Sequence, residues 1–217
     1  MHVIAIASRK GGAGKTTLAS HLSVQAESAG AGPVALIDTD PQGGLAGWWN
    51  AREAETPHWI DPALGLPATV TAARDAGYGV LIIDTPPSVA ETIAGVIEVA
   101  DLVVIPVRPS PNDLRAVGGT IEIARRARKR MVFVVSQATQ RARITAEAAI
   151  ALSQHGTVAP VMIHSRVDFA SSMTGGATVG ELDPDCRSAA EVRDPWTYLR
   201  NLLNEDADAP TATRAAE

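Results

Sequence analysis

A glycine-rich loop near the start of the chain has the residue types and spacing of a phosphate-binding site. The segment RKGGAGKTT, residues 9–17, directly follows the apolar run VIAIA, residues 3–7. Such a loop, placed between a buried strand and a helix, aims backbone N–H groups and the positive helix end at a polyphosphate. We expect Lys15 to reach the terminal phosphates and Thr16 to offer its hydroxyl to Mg²⁺. The residues predicted to bind the phosphates are Gly11, Gly12, Ala13, Gly14, Lys15, Thr16 and Thr17.

A second lysine in this loop departs from the ordinary phosphate-loop pattern. Lys10 stands where that pattern needs no cation, and Arg9 replaces its usual leading glycine. A cation at this place suggests a charge intended for a nucleotide across a subunit interface. The alternative is a solvated loop cation without a ligand. We therefore predict a catalytic contribution from Lys10 as well as from Lys15.

Aspartates end two of the apolar runs, at the sheet edge where open α/β folds place their ligands. The run VLII, residues 80–83, leads into Asp84, which is the usual Walker B form. Bound phosphates need a metal ion, and a strand-terminal carboxylate suits that ion. We predict that Thr16 is a direct Mg²⁺ ligand and that Asp84 holds the ion through its water shell.

The run VALI, residues 34–37, leads into a second acidic pair, Asp38 and Asp40. Asp38 is expected to lie close to the glycine-rich loop, where it would organise Lys15 and the Mg²⁺ waters, so it counts with the metal site. Asp40 is expected to lie further out and to position the attacking water. The alternative for Asp40 is a turn residue before Pro41, where aspartate favours turn initiation.

Length and composition favour one soluble domain. The 217 residues are 46% hydrophobic, which is enough for one filled core and too short for two comfortable domains. Cys186 is the only cysteine, so the chain has no internal disulfide framework, and a reduced, cytoplasmic setting fits best. No apolar run approaches the roughly 20 residues that span a bilayer. The net charge of −5 argues against a surface coated by nucleic acid but leaves room for a local basic face.

Short apolar runs alternate with helix-length segments, which predicts a doubly wound α/β fold with a mostly parallel sheet and helices on both faces. We place strands near 3–8, 33–38, 79–84, 101–107, 131–136 and 158–163. Helices are predicted near 15–29, 43–54, 67–76, 88–99, 111–129, 143–155 and 190–204. One domain is expected over 1–203. The segment 204–217 lacks apolar periodicity and is expected to be a disordered acidic tail.

The motifs together resemble the deviant Walker A ATPases, in particular the ParA partition ATPases of the ParA/MinD superfamily. They are KGGAGKT at 10–16, DTDPQG at 38–43 and DTPP at 84–87. The likeness continues through IPVRPSPNDL at 105–114, Arg166-x-x-Phe169 and GGATV at 175–179. The resemblance implies a P-loop NTPase fold, ATP and Mg²⁺ as ligands, and weak ATP hydrolysis that a partner stimulates. We expect the short form of the family, without an N-terminal helix-turn-helix.

The resemblance also implies an ATP-dependent sandwich homodimer, in which the first loop lysine, here Lys10, contacts the other subunit's nucleotide. Family members bind non-specific DNA as ATP dimers on the nucleoid and respond to an adaptor protein linked to a cargo, such as a plasmid, a chromosome or another cellular body. Phosphate contacts need clustered cations and no base reading. The first candidates here are Arg141, Arg143 and Arg166. The basic cluster at 125–130 is a second choice, because a solvated helix end explains it equally well.

Three other functions use a similar loop. A MinD-like membrane-surface ATPase carries a basic amphipathic C-terminal helix, whereas EDAD at 205–208 is acidic, so no membrane contact is expected. An iron–sulfur carrier needs cysteines at the dimer axis, and Cys186 stands alone. A metabolic P-loop enzyme is disfavoured by Lys10 and by PQG at 41–43. The family often has an asparagine near adenine where this chain has SQA at 136–138, so no adenine contact is assigned.

Overall fold

A parallel sheet forms the centre of the fold in the computed structural model, which describes residues 1–208. The strands in that range are β1 (His2–Ile6), β2 (Val34–Asp38), β3 (His58–Trp59), β4 (Val80–Asp84), β5 (Leu102–Val107), β6 (Arg130–Val135) and β7 (Thr157–Val158). Their order is β3-β2-β4-β1-β5-β6-β7, and each neighbouring pair is parallel. The predicted doubly wound α/β class is confirmed.

Helices connect the strands and cover both faces of the sheet. Those in residues 1–208 are α1 (Lys15–Ser28), α2 (Gly44–Asn50), α3 (Leu66–Asp75), α4 (Ala90–Val99), α5 (Pro111–Ala116), α6 (Gly118–Arg126), α7 (Arg143–Ser153), α8 (Val167–Thr174), α9 (Val179–Leu182) and α10 (Arg187–Asp208). No helix in this part of the chain is long and apolar enough to cross a membrane.

Each face of the sheet packs against its own apolar core, which explains the continuous apolar runs of the central strands. Along β1, Ile4 and Ile6 point into one core, and Val3 and Ala5 into the other. All four side chains are fully buried. Burial of each large aliphatic side chain contributes about 1.5–3 kcal/mol. The close-packed cores therefore hold the carboxyl ends of β1, β2 and β4 in a fixed relationship.

The helix predicted over 111–129 is divided into α5 and α6 at Val117. Gly118 and Gly119 follow directly, and glycine is a poor residue for continuing a helix. The Arg9 side chain packs closely on Gly119, since a Cβ there would lie 2.6 Å from Arg9 Nη1, at the far end of that flexible side chain. The backbone N–H of Arg9 donates a 3.1 Å hydrogen bond to Thr120 Oγ1, so this region packs against the start of the glycine-rich loop.

The shortest helices and strands were missed or misplaced in the prediction from sequence. Strand β3 has two residues at a sheet edge, too few to show a period. Strand β7 covers 157–158 where 158–163 was predicted, although Ile163 N still donates to Val135 O. Helices α8 and α9 were also missed. The start of α9 has a readable signal, because Thr178 and Glu181 form a capping box.

Helix α10 runs through Asn204–Asp208, which corrects the predicted start of a disordered tail at residue 204. Arg130, the first residue of β6, contacts the last turns of this helix. Arg130 Nη1 donates to the carbonyl of Leu202 at 2.9 Å, and Arg130 Nη2 lies 3.5 Å from Glu205 Oε2. The remainder of the predicted tail, 209–217, lies outside the described residues.

Candidate nucleotide-binding site

The glycine-rich loop leaves β1 and turns sharply into α1. Gly12 and Gly14 have φ values of 72° and 91°, in the left-handed region that side chains with a Cβ seldom adopt. Gly14 is the N-cap of α1, and the first helical turn carries no acidic residue. The free backbone N–H groups and the positive helix end therefore point to one place, which is suited to an anion.

Two side chains from the end of β6 hold this loop in shape. Ser136 Oγ donates to the carbonyl of Ala13 at 2.8 Å, and Gln137 Nε2 donates to the carbonyl of Gly12 at the same distance. These are the residues that stand where the ParA pattern often has asparagine. The role of these two residues is not predictable from the sequence, because a contact such as that of Ser136 with Ala13, across 123 residues, leaves no local signal.

Lys15 begins α1 and is buried, with 6% of its surface exposed. Burial lowers the pKa of Lys15, while the negative charges of Asp84 and Asp40 raise it. The structure thus brings the predicted lysine together with two of the three predicted aspartates. A cation with little water around it interacts strongly with a phosphate.

Thr16 and Asp84 form the pair that fits a magnesium ion. Thr16 Oγ1 donates to Asp84 Oδ2 at 2.7 Å, and Thr85 N donates to the other carboxylate oxygen at 3.0 Å. Asp84 is 1% exposed, and burial raises the pKa of its carboxyl to about 7. Among the described residues, no group of three or more His, Cys, Asp or Glu side chains could hold a metal ion by itself. One hydroxyl and one carboxylate suit Mg²⁺, which takes its other ligands from phosphates and water.

Asp38 lies opposite Asp84 where β2 pairs with β4. The carboxylate of Asp38, however, already accepts hydrogen bonds from backbone N–H groups. Oδ1 accepts from Asp40 N at 2.8 Å, and Oδ2 accepts from the N–H groups of Leu45 and Ala46 at 3.0 and 3.1 Å. Asp38 therefore holds the loop 39–43 and the start of α2, a role that the spacing did not predict. Its charge still acts at the site, because it raises the pKa of Asp84.

Asp40 is half-buried in the turn that follows β2. Its Oδ1 accepts from Gln42 N at 3.0 Å, and its carbonyl accepts from Gly43 N at 2.8 Å. The turn interpretation of Asp40 is thus correct in geometry. It does not exclude the predicted role, because Oδ2 makes no hydrogen bond within residues 1–208 and the charge of Asp40 acts on Lys15.

Lys10 is half-buried at the outer end of the loop. Its backbone N–H lies 3.4 Å from Ser8 Oγ, and its ammonium group makes no ion pair with a side chain of residues 1–205. Lys10 lines a cavity that is separate from the one beside Gly14 and Thr17. The two loop lysines consequently face different surroundings.

A cavity of about 210 Å³ adjoins the helix end of the loop. Gly14 and Thr17 contribute one wall, and Arg166 and Phe169 contribute another. His21 lies at its base, with Nδ1 2.8 Å from the carbonyl of Thr17 and its ring in an edge contact with Phe169 at 5.1 Å. Burial lowers the pKa of His21 to about 4. A partly apolar cavity next to a phosphate loop is suited to a nucleoside.

Of the three arginines predicted to contact DNA, Arg141 lies in the loop before α7, Arg143 is the first residue of α7, and Arg166 directly precedes α8. A bridge between Ala138 and His164 brings the segments before these two helices together. Arg141 is exposed. Arg143 is 91% exposed and pairs with Glu147 at 3.1 Å. Arg166 differs, because its guanidinium binds Glu191 Oε1 at 2.6 and 3.1 Å and lines the cavity beside Gly14 and Thr17. Only Arg141 and Arg143 of the three are presented openly to solvent.

Several arginines of the second-choice basic cluster, 125–130, already contact neighbouring residues of the fold. Arg126 pairs with Glu122, and Arg125 Nη2 donates to the carbonyl of His155 at 3.0 Å. Arg130 binds the end of α10, as described above. These contacts explain much of the cluster as support for neighbouring elements.

The loop, the buried lysine and the hydroxyl–carboxylate pair define a phosphate-loop nucleotide-binding domain. The chain belongs to the family described as the CobQ/CobB/MinD/ParA nucleotide binding domain, which it matches over residues 4–179. It is 31% identical to the maintenance of carboxysome distribution protein A of Halothiobacillus neapolitanus, covering 93% of this chain and 94% of that one. It is also 30% identical to the chromosome-partitioning ATPase Soj of Thermus thermophilus, over 54% of this chain and 59% of Soj.

Solved structures share the fold at lower identity. Apo McdA of Cyanothece has a TM-score of 0.76 and 18% identity, covering 94% of this chain and 99% of that chain. MinD of Pyrococcus horikoshii, solved with Mg-ADP, has a TM-score of 0.74 and 16% identity, covering 95% and 99%. The resemblance to the ParA/MinD ATPases is thereby confirmed.

Proposed function

We propose that this protein is an ATPase that dimerises when it binds ATP and Mg²⁺ and that positions an intracellular cargo. The observation that carries the proposal is the hydrogen bond from Thr16 to the buried carboxylate of Asp84, next to buried Lys15. A hydroxyl, a carboxylate and a desolvated lysine at the start of a glycine-capped helix are the parts that a magnesium–triphosphate complex needs.

Each residue of the site has a role in this proposal. The backbone of residues 11–17 and Lys15 would bind the phosphates, and Thr16 and Asp84 would hold Mg²⁺, Thr16 as a direct ligand and Asp84 through water. Asp38 supports the loop that carries Asp40 and adds negative charge behind the metal. Asp40 orients the water that attacks the terminal phosphate, since its Oδ2 has no hydrogen bond in the described structure. Bound ATP supplies the phosphoryl group.

Lys10 makes hydrolysis depend on assembly. It has no ion pair with a side chain of residues 1–205 and lies outside the cavity that adjoins Gly14 and Thr17. We assign it to the nucleotide of the second subunit, where its charge stabilises the transferring phosphoryl group. A monomer then binds ATP but hydrolyses it slowly.

The dimer is proposed to bind non-specific DNA on the nucleoid through Arg141 and Arg143, with Arg166 as the weaker candidate because Glu191 already pairs with it. The test is retention of duplex DNA by the ATP-bound protein. Reversal of both charges, Arg141→Glu with Arg143→Glu, is expected to abolish retention, and exposed Arg74→Glu on α3 is the matched control. Equal retention by all proteins would remove Arg141 and Arg143 from the proposal.

The cargo is proposed to be a cellular body or DNA molecule that is linked through an adaptor protein, which stimulates hydrolysis. Support comes from the relative in Halothiobacillus neapolitanus, whose name describes carboxysome distribution, and from the partition ATPase Soj. A MinD-like membrane role is less well supported. The apolar side of α10 is occupied, because Trp196, Leu199 and Leu203 are buried in the core.

The experiment that tests the proposed function measures ATP hydrolysis by the purified chain, with and without plasmid DNA. Slow, magnesium-dependent release of phosphate is expected, together with DNA retention in ATP and release in ADP. A protein that binds ATP but neither hydrolyses it nor distinguishes ATP from ADP in DNA binding would contradict the proposal.

A further inference from the structure

A second cation borders the glycine-rich loop next to Lys10. Arg108 follows the last residue of β5, at the same sheet edge as Asp38 and Asp84. Its Nη1 atom lies 3.8 Å from the position that a Cβ on Gly12 would take. The sequence motif at 105–114 contains Arg108, but the roles assigned above do not use it.

A buried carboxylate fixes the direction of Arg108. Asp113, 3% exposed, accepts from Arg108 Nε at 2.9 Å and from Nη2 at 3.3 Å. Ser110 Oγ donates to the same carboxylate and accepts from Asp113 N at 3.2 Å. The guanidinium is therefore held at two of its nitrogens before any ligand arrives, which lowers the entropic cost of binding. Its Nη1 makes no hydrogen bond within residues 1–208.

Arg108 and Lys10 line one polar cavity of about 430 Å³. The other polar lining residues are Ser110, Asn112, Asp113, Gln137, Thr139 and Ser165. Asp113 is the only acid among them, and Arg108 already neutralises it. The cavity thus presents net positive charge with hydroxyl and amide groups, which matches the phosphates and ribose of a nucleotide.

This cavity lies beside the one proposed for the protein's own nucleoside, and Gln137 and Ser165 line both. The loop residue that lines it is Lys10, whereas Gly14 and Thr17 line the other cavity. A nucleotide bound along residues 11–17 therefore occupies the first cavity and leaves the second open to another molecule.

We propose that Arg108 is a second trans-acting cation, which binds with Lys10 to the nucleotide held by a second copy of the chain, and that Asp113 is its positioning residue. The inference rests on the proposed ATP-dependent dimer and deepens it. One subunit would then contribute two fixed cations to the other's nucleotide, so dimer formation senses that nucleotide directly.

The test compares full-length wild type, Arg108→Ala and Asp113→Asn with the control Arg115→Ala, an exposed arginine on α5. Calorimetry at protein concentrations below the dimer dissociation constant measures the affinity of each monomer for a non-hydrolysable ATP analogue with Mg²⁺. Sedimentation measures the dimer dissociation constant in the same analogue. For Arg108→Ala we expect at least a tenfold rise in that constant, with less than a threefold change in nucleotide affinity. Asp113→Asn should weaken the dimer less, and Arg115→Ala should match the wild type.

Other outcomes overturn the inference in distinguishable ways. If Arg108→Ala dimerises as the wild type does, the assignment in trans is wrong while the ATP-dependent dimer stands. A parallel loss of monomer affinity would place Arg108 on its own nucleotide. Normal dimerisation with loss of DNA retention would make it a DNA contact. If the wild type does not dimerise with the analogue, both the proposed function and the inference are wrong.

Discussion

Thr16 Oγ1 donates a 2.7 Å hydrogen bond to Asp84 Oδ2 across 68 residues of sequence. The bond joins the first turn of α1 to the carboxyl end of β4. These elements are adjacent because β1, which leads into the loop, pairs in parallel with β4 and places Ile6 opposite Asp84. The parallel sheet therefore brings together the two side chains of the proposed metal site.

Lys15→Ala should abolish useful nucleotide binding. The variant loses a buried, charged hydrogen-bond donor to phosphate, which weakens the binding free energy by about 1.5–3 kcal/mol or more. Each 1.4 kcal/mol of binding free energy corresponds to about a tenfold change in affinity. Calorimetry with ATP and Mg²⁺ should show an affinity about 100-fold weaker. Lys129→Ala, which removes the lysine outside the loop, is the control. Wild-type affinity in Lys15→Ala would overturn the assignment of the loop.

Lys10→Ala should separate binding from assembly. The affinity of the monomer for ATP is expected to remain close to wild type, because Lys10 lies outside the cavity beside Gly14 and Thr17. ATP-dependent dimerisation or turnover should be lost. Sedimentation and phosphate release measure these two effects. A variant that dimerises and hydrolyses ATP normally would leave Lys10 as a solvated loop cation.

Asp40→Ala should bind ATP and dimerise but hydrolyse slowly. Loss of a residue that positions the attacking water typically lowers a rate by about 10²–10⁴-fold. Single-turnover phosphate release measures the step, and Asp75→Ala, exposed on α3, is the matched control. Turnover at the wild-type rate would move the role to Asp38 or to another group.

His21 should make stability depend on pH. Its folded pKa is about 4, below the ordinary value of 6.5, so between these values the unfolded chain binds a proton that the folded chain does not. The contribution of His21 to the free energy of unfolding is fully present above pH 6.5 and falls as the pH drops toward 4. Linkage gives a loss of about 2 kcal/mol between pH 7.5 and pH 5.

Urea unfolding at those two pH values gives the His21 contribution as the difference between the wild type and His21→Asn, because the raised pKa of Asp84 acts in the opposite direction in both proteins. His21→Asn should show a drop smaller by about 2 kcal/mol, and His155→Asn, which replaces an exposed histidine, should retain the wild-type drop. The same pH dependence in His21→Asn as in the wild type would show that His21 does not contribute the effect.

The sequence predicted the parts of the site that local spacing encodes. A glycine-rich loop after an apolar run indicated the positions of Lys15 and Thr16, and a strand-terminal aspartate indicated Asp84. Parallel strands must end at one edge, so their proximity followed from the predicted fold class. The same logic placed Asp38 and Asp40 nearby.

Contacts between distant segments were not predictable in this way. Asp38 faces backbone N–H groups of α2 instead of open solvent, because the turn at 40–43 folds back over it. Gln137 supports Gly12 from the end of β6. The cavity shared by Lys10 and Arg108 depends on how α5 packs beside the loop. Such relationships depend on side-chain packing, which has no periodic signature in the chain.

If the nucleotide controls assembly, the mass of the wild-type protein in solution must change with the nucleotide that is bound. Light scattering after size-exclusion chromatography should give the mass of two chains with a non-hydrolysable ATP analogue and Mg²⁺, and of one chain with ADP. A single-chain mass in both nucleotides, with analogue binding verified by calorimetry, would show that the nucleotide does not control assembly.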